Sequence, residues 1–483
     1  MARLFVFAAL FHAHAATPCD KLHALKIPNV QIESASIVND SCRVKAIARP
    51  VDDSEIRFDI WLPAAEKWNG KFLGNGNGGY SSSINTAQMN RAIELGYATA
   101  GTDTGHTGGD PVFAFGHPEK LKDFAYRAIH LMTTTAKHLI RVHYGRHAAQ
   151  AYFSSCSTGG HQALSEVQRY PDDYDGVIAG APANNRIGQT FAFLWGWLAT
   201  HDDKGAPILA ADHLKLVHKS VLAACDAQDG LKDGLIGEPR RCRFDPAALA
   251  CKPGQSTECL TPSQVEAFRK VYAGVKNPRT GRQIFAGWPL GSEHFGDSPM
   301  QSWRAYLLDP KEPMRVEAFR YFIFNDPAWN FREIDWDRDH AFAEKQVPFL
   351  NANDTNLNAF KNSGGKLIMY AGLADPVVPP AENIAYFDAV TKAMGGPQKT
   401  AAFARLFLAP GMGHCQGGYG PSQFDSLTAL DQWVTKGIAP EKLIATQSTV
   451  RTRPLCAYPQ VARYSGKGSI DDAANFTCVT PAP

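Results

Sequence analysis

From Arg43 to about residue 180, short runs of β-branched and aromatic residues alternate with longer stretches whose apolar positions recur every three or four residues. Residues 57–62, 71–73, 97–100 and 151–154 read as strands. Residues 86–95, closed by Gly96, and 126–142, before Tyr144-Gly145, read as helices. Each strand is expected to lead into a crossover, the rhythm of an α/β sheet covered by helices. Near Ala183-Asn184-Asn185 that rhythm stops. To about residue 350 the chain carries Trp195, Trp197, four cysteines and many Asp/Gly-rich turns, which predicts an inserted lid domain. Alternation resumes with a buried-strand pattern at 366–370, a helix at 381–394, a strand at 404–408 and a final helix at 423–436. No internal repeat or low-complexity tract interrupts it.

With 44% hydrophobic and 20% charged residues in 483, the chain can bury a large core, so disorder is a poor reading. Forty-nine basic against 47 acidic residues give a formal charge of +2, too little for a nucleic-acid or anionic-lipid partner. The start has the layout of a cleavable secretory signal: Arg3, the apolar run 4–11, then Ala13-His14-Ala15. The run is too short to span a bilayer, and no later stretch is long enough either. A secreted or periplasmic protein is therefore expected, with residues 1–15 removed.

All ten cysteines follow that segment, and an even set in an exported chain argues for five disulfides. Zinc is a weaker use for them, because no Cys-x-x-Cys occurs. Sequence does not fix the connectivity. Local closure favours Cys19–Cys42, Cys225–Cys242, Cys251–Cys259 and Cys456–Cys478, leaving Cys156 with Cys415.

The strand at 151–154 runs into Ser155-Cys156-Ser157-Thr158-Gly159-Gly160, and residues 162–169 look helical. Strand, small-residue turn and helix make a nucleophile elbow, in which a serine projects its oxygen above the sheet. Ser157 is the candidate nucleophile. Its plus-two neighbour is Gly159, and Ser155 stands at minus two where glycine is usual. An ordinary strand-to-helix turn is the competing reading. A base and an orienting carboxylate should follow in the order acid, then histidine. Asp375, directly after the strand ending at Tyr370, and His414, in a glycine-rich loop after the next strand, suit those places. Cys156 precedes Ser157 and Cys415 follows His414, so a bond between them would tie nucleophile to base. Cys156 as a thiolate nucleophile is the alternative, disfavoured in an oxidising compartment.

These residues resemble the tannase and feruloyl esterase family of α/β-hydrolases over nearly the whole mature chain. The resemblance rests on Cys156-Ser157-Thr158-Gly159-Gly160, Gly101-Thr-Asp-Thr-Gly-His106, Arg169-Tyr-Pro-Asp-Asp-Tyr-Asp-Gly176, Gly372-Leu-Ala-Asp375-Pro376, Gly413-His414-Cys415 and the segment from Arg453 to Arg463. It implies that Ser157, Asp375 and His414 form a triad, that Cys156 bonds Cys415, and that the insertion is a substrate-binding lid. Ser155 departs from the family's usual glycine, and His161 stands where a longer basic residue is common. The expected organisation is an α/β-hydrolase core at 16–184 and 351–483, with the lid at 185–350.

Acyl transfer also needs donors for the developing oxyanion. One is expected at the backbone N–H of Thr158 and the other in the loop Gly74-Asn-Gly-Asn-Gly-Gly-Tyr80, where the resemblance places an oxyanion glycine, Gly79 or Gly78. In the lid, Asp226, Asp229 and Asp233 stand among glycines. Spacing leaves this segment open between a calcium site and a solvated turn, and it does not fit an EF-hand. The resemblance implies structural calcium there, held by the three aspartates and the carbonyls of Leu231 and Leu235. It also implies esters of planar aromatic acids as substrates: hydroxycinnamates, gallates or terephthalate monoesters. Trp303, Phe319 and Trp329 are candidates to stack on the ring, and Arg304 or Arg320 to meet a free carboxylate. Two other classes compete with a serine esterase. A calcium-stabilised binding protein would lack a triad member, and a peptidase would cleave an amide analogue as readily as the ester. Oligomeric state is left open.

Overall fold

The computed structural model describes residues 16–295, 302–448 and 450–481. The expected signal segment 1–15 lies outside them. A nine-stranded sheet forms the centre. Its strands are β1 (Val30–Val38), β2 (Ser41–Ala48), β3 (Ile56–Pro63), β4 (Lys71–Asn75), β5 (Ala98–Thr102), β6 (Gln150–Cys156) and β7 (Gly176–Gly180), joined after the insertion by β10 (Lys366–Gly372) and β11 (Ala404–Ala409). Among the described residues the strands of the insertion are the short hairpin β8 (Val275–Lys276) and β9 (Gln283–Phe285). The spatial order is β1-β2-β3-β5-β4-β6-β7-β10-β11.

From β5 to β11 neighbours run parallel, and each connection between successive strands carries a helix, as expected of buried parallel strands. The first three strands correct the expectation of a crossover after each strand. They form an antiparallel meander that joins the rest through the antiparallel β3–β5 pair. Asn39 and Asp40, both at positive φ (48° and 59°), make the two-residue turn between β1 and β2, which suits the twist of a hairpin.

On one face of the sheet, Phe58, Phe72 and Phe153 pack with Met132, Leu139, Leu164 and Phe387 of the covering helices. On the other, Tyr152, Ile368 and Phe407 pack with Leu430 and Trp433 of helix Ser426–Lys436. The segment between β7 and β10 is built on the helices Arg186–Thr200, Ala211–Cys225 and Pro262–Ala273, and its two apolar clusters also take in Ala114, Leu121 and Phe124 in one case and Val377 and Val378 in the other. Beyond β11 the chain adds two hairpins, β12 (Lys442–Gln447) with β13 (Arg451–Cys456) and β14 (Val461–Tyr464) with β15 (Phe476–Val479). Arg453 on β13 reaches back to the insertion, where its guanidinium donates to Asp233 Oδ2 at 2.6 Å.

The five disulfides are the four that local closure favours, Cys19–Cys42, Cys225–Cys242, Cys251–Cys259 and Cys456–Cys478, and the remaining long-range pair Cys156–Cys415. Among the described residues no helix is long and apolar enough to cross a membrane. Parallel strands, helical crossovers and a long insertion after β7 together make an α/β-hydrolase core.

Candidate active site

The C-terminal ends of the parallel strands gather the chemistry, as in other open α/β sheets. β6 ends at Cys156, and Ser157 turns the chain with φ 66° and ψ −120° before the helix Thr158–Arg169 begins. That left-handed backbone is costly for a residue with a Cβ and persists only where its surroundings hold it. Here the Ser157 N–H donates to the Gly180 carbonyl at 2.9 Å, and its carbonyl accepts from His161 and Ala183. A Cβ built at Gly159 would collide with the Ser155 side chain, and one at Gly160 with the Gly180 carbonyl, so both positions need glycine for the helix to close onto the sheet. Ser155 is tolerated at minus two because Gly159 and Gly76, the residues its side chain lies against, leave room for it.

Asp375 follows β10 and is fully buried. Its Oδ1 accepts from the N–H groups of Val377 and Val378 at 2.7 and 2.9 Å, which fixes the carboxylate plane. Its Oδ2 lies 2.8 Å from His414 Nδ1, and His414 Nε2 lies 2.8 Å from Ser157 Oγ. The three expected residues are thus in one hydrogen-bonded line, from buried carboxylate through imidazole to hydroxyl. Cys415, at φ 66°, bonds Cys156, so the residues beside serine and histidine are covalently joined.

Thr158 opens the helix after the elbow. Its hydroxyl donates to the Gly79 carbonyl at 2.8 Å and accepts from Arg186 Nη2 at 2.8 Å. This closes the glycine-rich loop after β4 onto the elbow and brings the Gly78–Gly79 backbone beside the nucleophile. His161 is buried one turn further on, 2.9 Å from the Leu350 carbonyl through Nε2, and burial holds its pKa well below the usual value.

Next to Thr158 stands a group that the sequence did not reveal. Arg186, the first residue of helix Arg186–Thr200, is 1% exposed, with its guanidinium over Phe124 at 5.0 Å and Tyr80 at 6.0 Å. Arg315 sits over the same Tyr80 at 5.4 Å and over Phe193 at 5.1 Å, and donates to Gln189 Oε1 at 2.8 Å. Neither arginine has an ion pair among the described residues. Burial, and then the charge of Arg315, push Arg186 down to about 9. A lone arginine at the start of a helix carries no sequence signal, although Thr158 and Tyr80 beside it lay within recognised motifs.

The residues expected to stack on a ring or meet an acid are engaged with protein neighbours. Trp303 is fully buried among Trp288, Phe268 and Tyr272, and its Nε1 donates to Ser292 Oγ at 2.9 Å. Phe319 is fully buried and stacked on Trp329 at 4.7 Å. Arg320 pairs both ways with Glu312 at 3.0 and 3.1 Å, and Arg304 with Asp309 at 3.1 Å. Packing takes the ring surfaces of Trp303 and Phe319, while Arg320 and the exposed Arg304 are each paired with a carboxylate.

The three aspartates of the insertion lie within one turn, where Asp233 Oδ2 pairs with Arg453 at 2.6 Å. Asp226 accepts from the N–H groups of Asp233 and Gly234 through its carboxylate, and burial and mutual repulsion raise the pKa of Asp229 and Asp233. Among the described residues the Leu231 and Leu235 carbonyls accept no hydrogen bond. Crowded carboxylates beside free carbonyls fit a hard cation that takes oxygen ligands.

Comparison with known proteins follows the same lines. A family model described as tannase and feruloyl esterase matches residues 42–479. An uncharacterized esterase of Xanthomonas campestris is 36% identical, over 98% of this chain and 93% of its own. A mono(2-hydroxyethyl) terephthalate hydrolase of Piscinibacter sakaiensis is 34% identical, over 93% and 86%. The crystal structure of feruloyl esterase B from Aspergillus oryzae superposes with a TM-score of 0.87 at 28% identity, covering 95% of this chain and 99% of that one.

Proposed function

The chain belongs to the tannase and feruloyl esterase family and is a carboxylic ester hydrolase, and from that premise we propose that it cleaves esters of aromatic acids through Ser157, His414 and Asp375. The observation that carries the mechanism is the continuous line Asp375–His414–Ser157, with both contacts at 2.8 Å. His414 Nε2 takes the hydroxyl proton as Ser157 Oγ attacks the ester carbonyl, and then delivers it to the departing alcohol. Water repeats the sequence on the acyl-enzyme and releases the acid. Asp375 fixes the tautomer that leaves Nε2 free to accept and stabilises the imidazolium as it forms. The backbone N–H of Thr158 and one of Gly78 or Gly79 face the oxyanion, where removing one donor typically costs about a hundredfold or more in rate.

The insertion at 185–350 serves as the lid over this centre; its Phe322 packs edge-on against Tyr80 at 5.4 Å and its Arg315 lies over the same ring. Calcium, held by Asp226, Asp229, Asp233 and the Leu231 and Leu235 carbonyls, would neutralise the crowded turn and brace the lid without touching the ester. Five disulfides suit an oxidising compartment, and with the leader-like start they support export.

A specific observation favours one acyl class. Arg186 meets Thr158 and Arg315 lies over the neighbouring Tyr80 ring, and two Arg186 nitrogens, Nε and Nη1, are buried without a partner. Buried guanidinium groups call for an anion, and a carboxylate on the acyl ring supplies one. The Piscinibacter relative is named for such an acid-bearing monoester. The test is a panel of methyl ferulate, methyl gallate and a terephthalate monoester, run on wild type and Ser157→Ala. The monoester should give the highest kcat/KM, and Ser157→Ala should lose several orders of magnitude on every ester while staying folded. Near-full activity in a clean Ser157→Ala preparation sinks the nucleophile; preference for the ferulate sinks the acid reading alone.

A further inference from the structure

The helix Ala128–Tyr144 and the helix that follows the nucleophile, Thr158–Arg169, are neighbours, and the turn before β7 passes beside them. These three segments bring together His130, Glu166 and Asp173. One ring nitrogen and one oxygen from each carboxylate lie within 4.8 Å of one another. Glu166 is 1% exposed, and neither of its carboxylate oxygens has a hydrogen-bond partner. Asp173, 8% exposed, lies 2.6 Å from His130 Nδ1 through Oδ2. The nearest cation does not resolve the pair: the Lys137 ammonium donates to the Asp172 carbonyl at 3.3 Å.

Two carboxylates converging in a buried space, one of them with no donor, repel each other unless a proton or a cation lies between them. The third group distinguishes the two. His130 is held flat against Tyr170, with ring centroids 3.7 Å apart and planes 9° from parallel, so an imidazole nitrogen is already oriented into the cluster. Its side chain is 28% exposed, which leaves a path from solvent and a position for water. An imidazole with two carboxylates is a donor set for zinc and its first-row neighbours, whereas calcium takes six to eight oxygens. Metal–ligand bonds of about 2.0–2.2 Å set tetrahedral donor separations near 3.4 Å, so an ion would draw the three groups slightly inward.

We infer that His130, Glu166 and Asp173 bind one divalent transition-metal ion of the zinc class, separate from the aspartate turn of the insertion. Glu166 lies nine residues beyond Ser157, about 13 Å along the helix axis, so the ion does not meet substrate. It pins the helix that carries the elbow to its neighbour in the core.

The experiment uses the purified full chain, stripped with chelator and returned to buffer with excess calcium, so that the oxygen-rich turn is not the site being read. Titration with Co²⁺ should give a saturable visible band at one equivalent, competed away by Zn²⁺, and Zn²⁺ should raise the melting temperature. Glu166→Gln, which keeps the shape, and His130→Ala, at a part-exposed position, should each lose the band while retaining ester turnover. A wild type that binds neither ion, or a Glu166→Gln variant that binds as well as wild type, overturns the site. Absence of binding together with a higher melting temperature for Glu166→Gln would identify a shared proton in its place.

Discussion

Removing the bond between Cys156 and Cys415 should damage stability and turnover together. The pair closes a loop of 259 residues, and the two small rings inside it, of 17 and 8 residues, shorten that loop little. The chain-entropy relation puts the ceiling at about 5.5 kcal/mol for such a loop, and measured disulfides typically reach about 2 to 4. For Cys251–Cys259, with a separation of 8, the ceiling is about 2.5 kcal/mol. The double variant Cys156→Ala/Cys415→Ala should therefore lose about 2 to 4 kcal/mol, and Cys251→Ala/Cys259→Ala clearly less. The site adds a second effect. The residues beside Ser157 and His414 are joined directly, and without the bond the two loops lose their covalent tie and rely on hydrogen bonds such as Ser157 Oγ to His414 Nε2 at 2.8 Å and Tyr419 N–H to the Gly411 carbonyl at 2.9 Å. A displacement near 1 Å costs about a hundredfold in rate, so kcat should fall by tenfold or more at nearly constant KM. Urea unfolding followed by tryptophan fluorescence, with kcat on an aromatic methyl ester, measures both. Stability within about 0.5 kcal/mol of wild type and unchanged kcat in the first variant would refute the tether.

Asp103, in the Gly101–His106 motif, accepts from the N–H groups of Arg57 and Gly105 at 2.9 and 2.8 Å, yet burial pushes its carboxyl up to about 6. The folded state keeps that proton up to about pH 6 and the unfolded chain releases it near pH 4, so stability falls as pH rises through this window. Asp103→Asn should flatten the fall, adding about 1 to 3 kcal/mol at pH 7 and nothing near pH 4, as read by urea unfolding at each pH. EGTA should lower the melting temperature by emptying the aspartate turn of the insertion, with calcium restoring it. Unchanged melting and no calcium by elemental analysis would remove that site.

What the sequence showed and hid follows from where the determinants lie. The elbow was readable because its requirements are local: a strand, small residues at minus two and plus two, then a helix. Asp375 and His414 were readable because each stands directly after a recognisable strand. The strand at 57–62 was read but its antiparallel partners β1 and β2 were missed, although Asn39-Asp40 is a short-range hairpin signal, because Val30–Val38 is largely exposed and lacks a clear apolar face. The hairpins β12 to β15 were missed because a Cys456–Cys478 staple supplies order that periodicity does not display. Trp303 and Phe319 show the limit for binding residues: composition cannot tell an aromatic that lines a pocket from one that fills a core. Arg186 becomes legible only when Thr158, Tyr80 and Phe124 are seen around it.

The reach of Arg453 from β13 to Asp233 changes what counts as a separable piece of this chain. The pair is buried on both sides, at 5% and 4% side-chain exposure, and Arg451 adds a contact from its guanidinium to the Asp233 carbonyl at 3.2 Å. Breaking one side of such a pair costs about 3 to 5 kcal/mol. The residues after β11 therefore act as a strap over the aspartate turn more than two hundred positions upstream. An excised 185–350 fragment would lose that strap. So would a chain trimmed at residue 440 to a seemingly complete sheet, and a graft of this insertion onto another core would have to carry its Arg453 along.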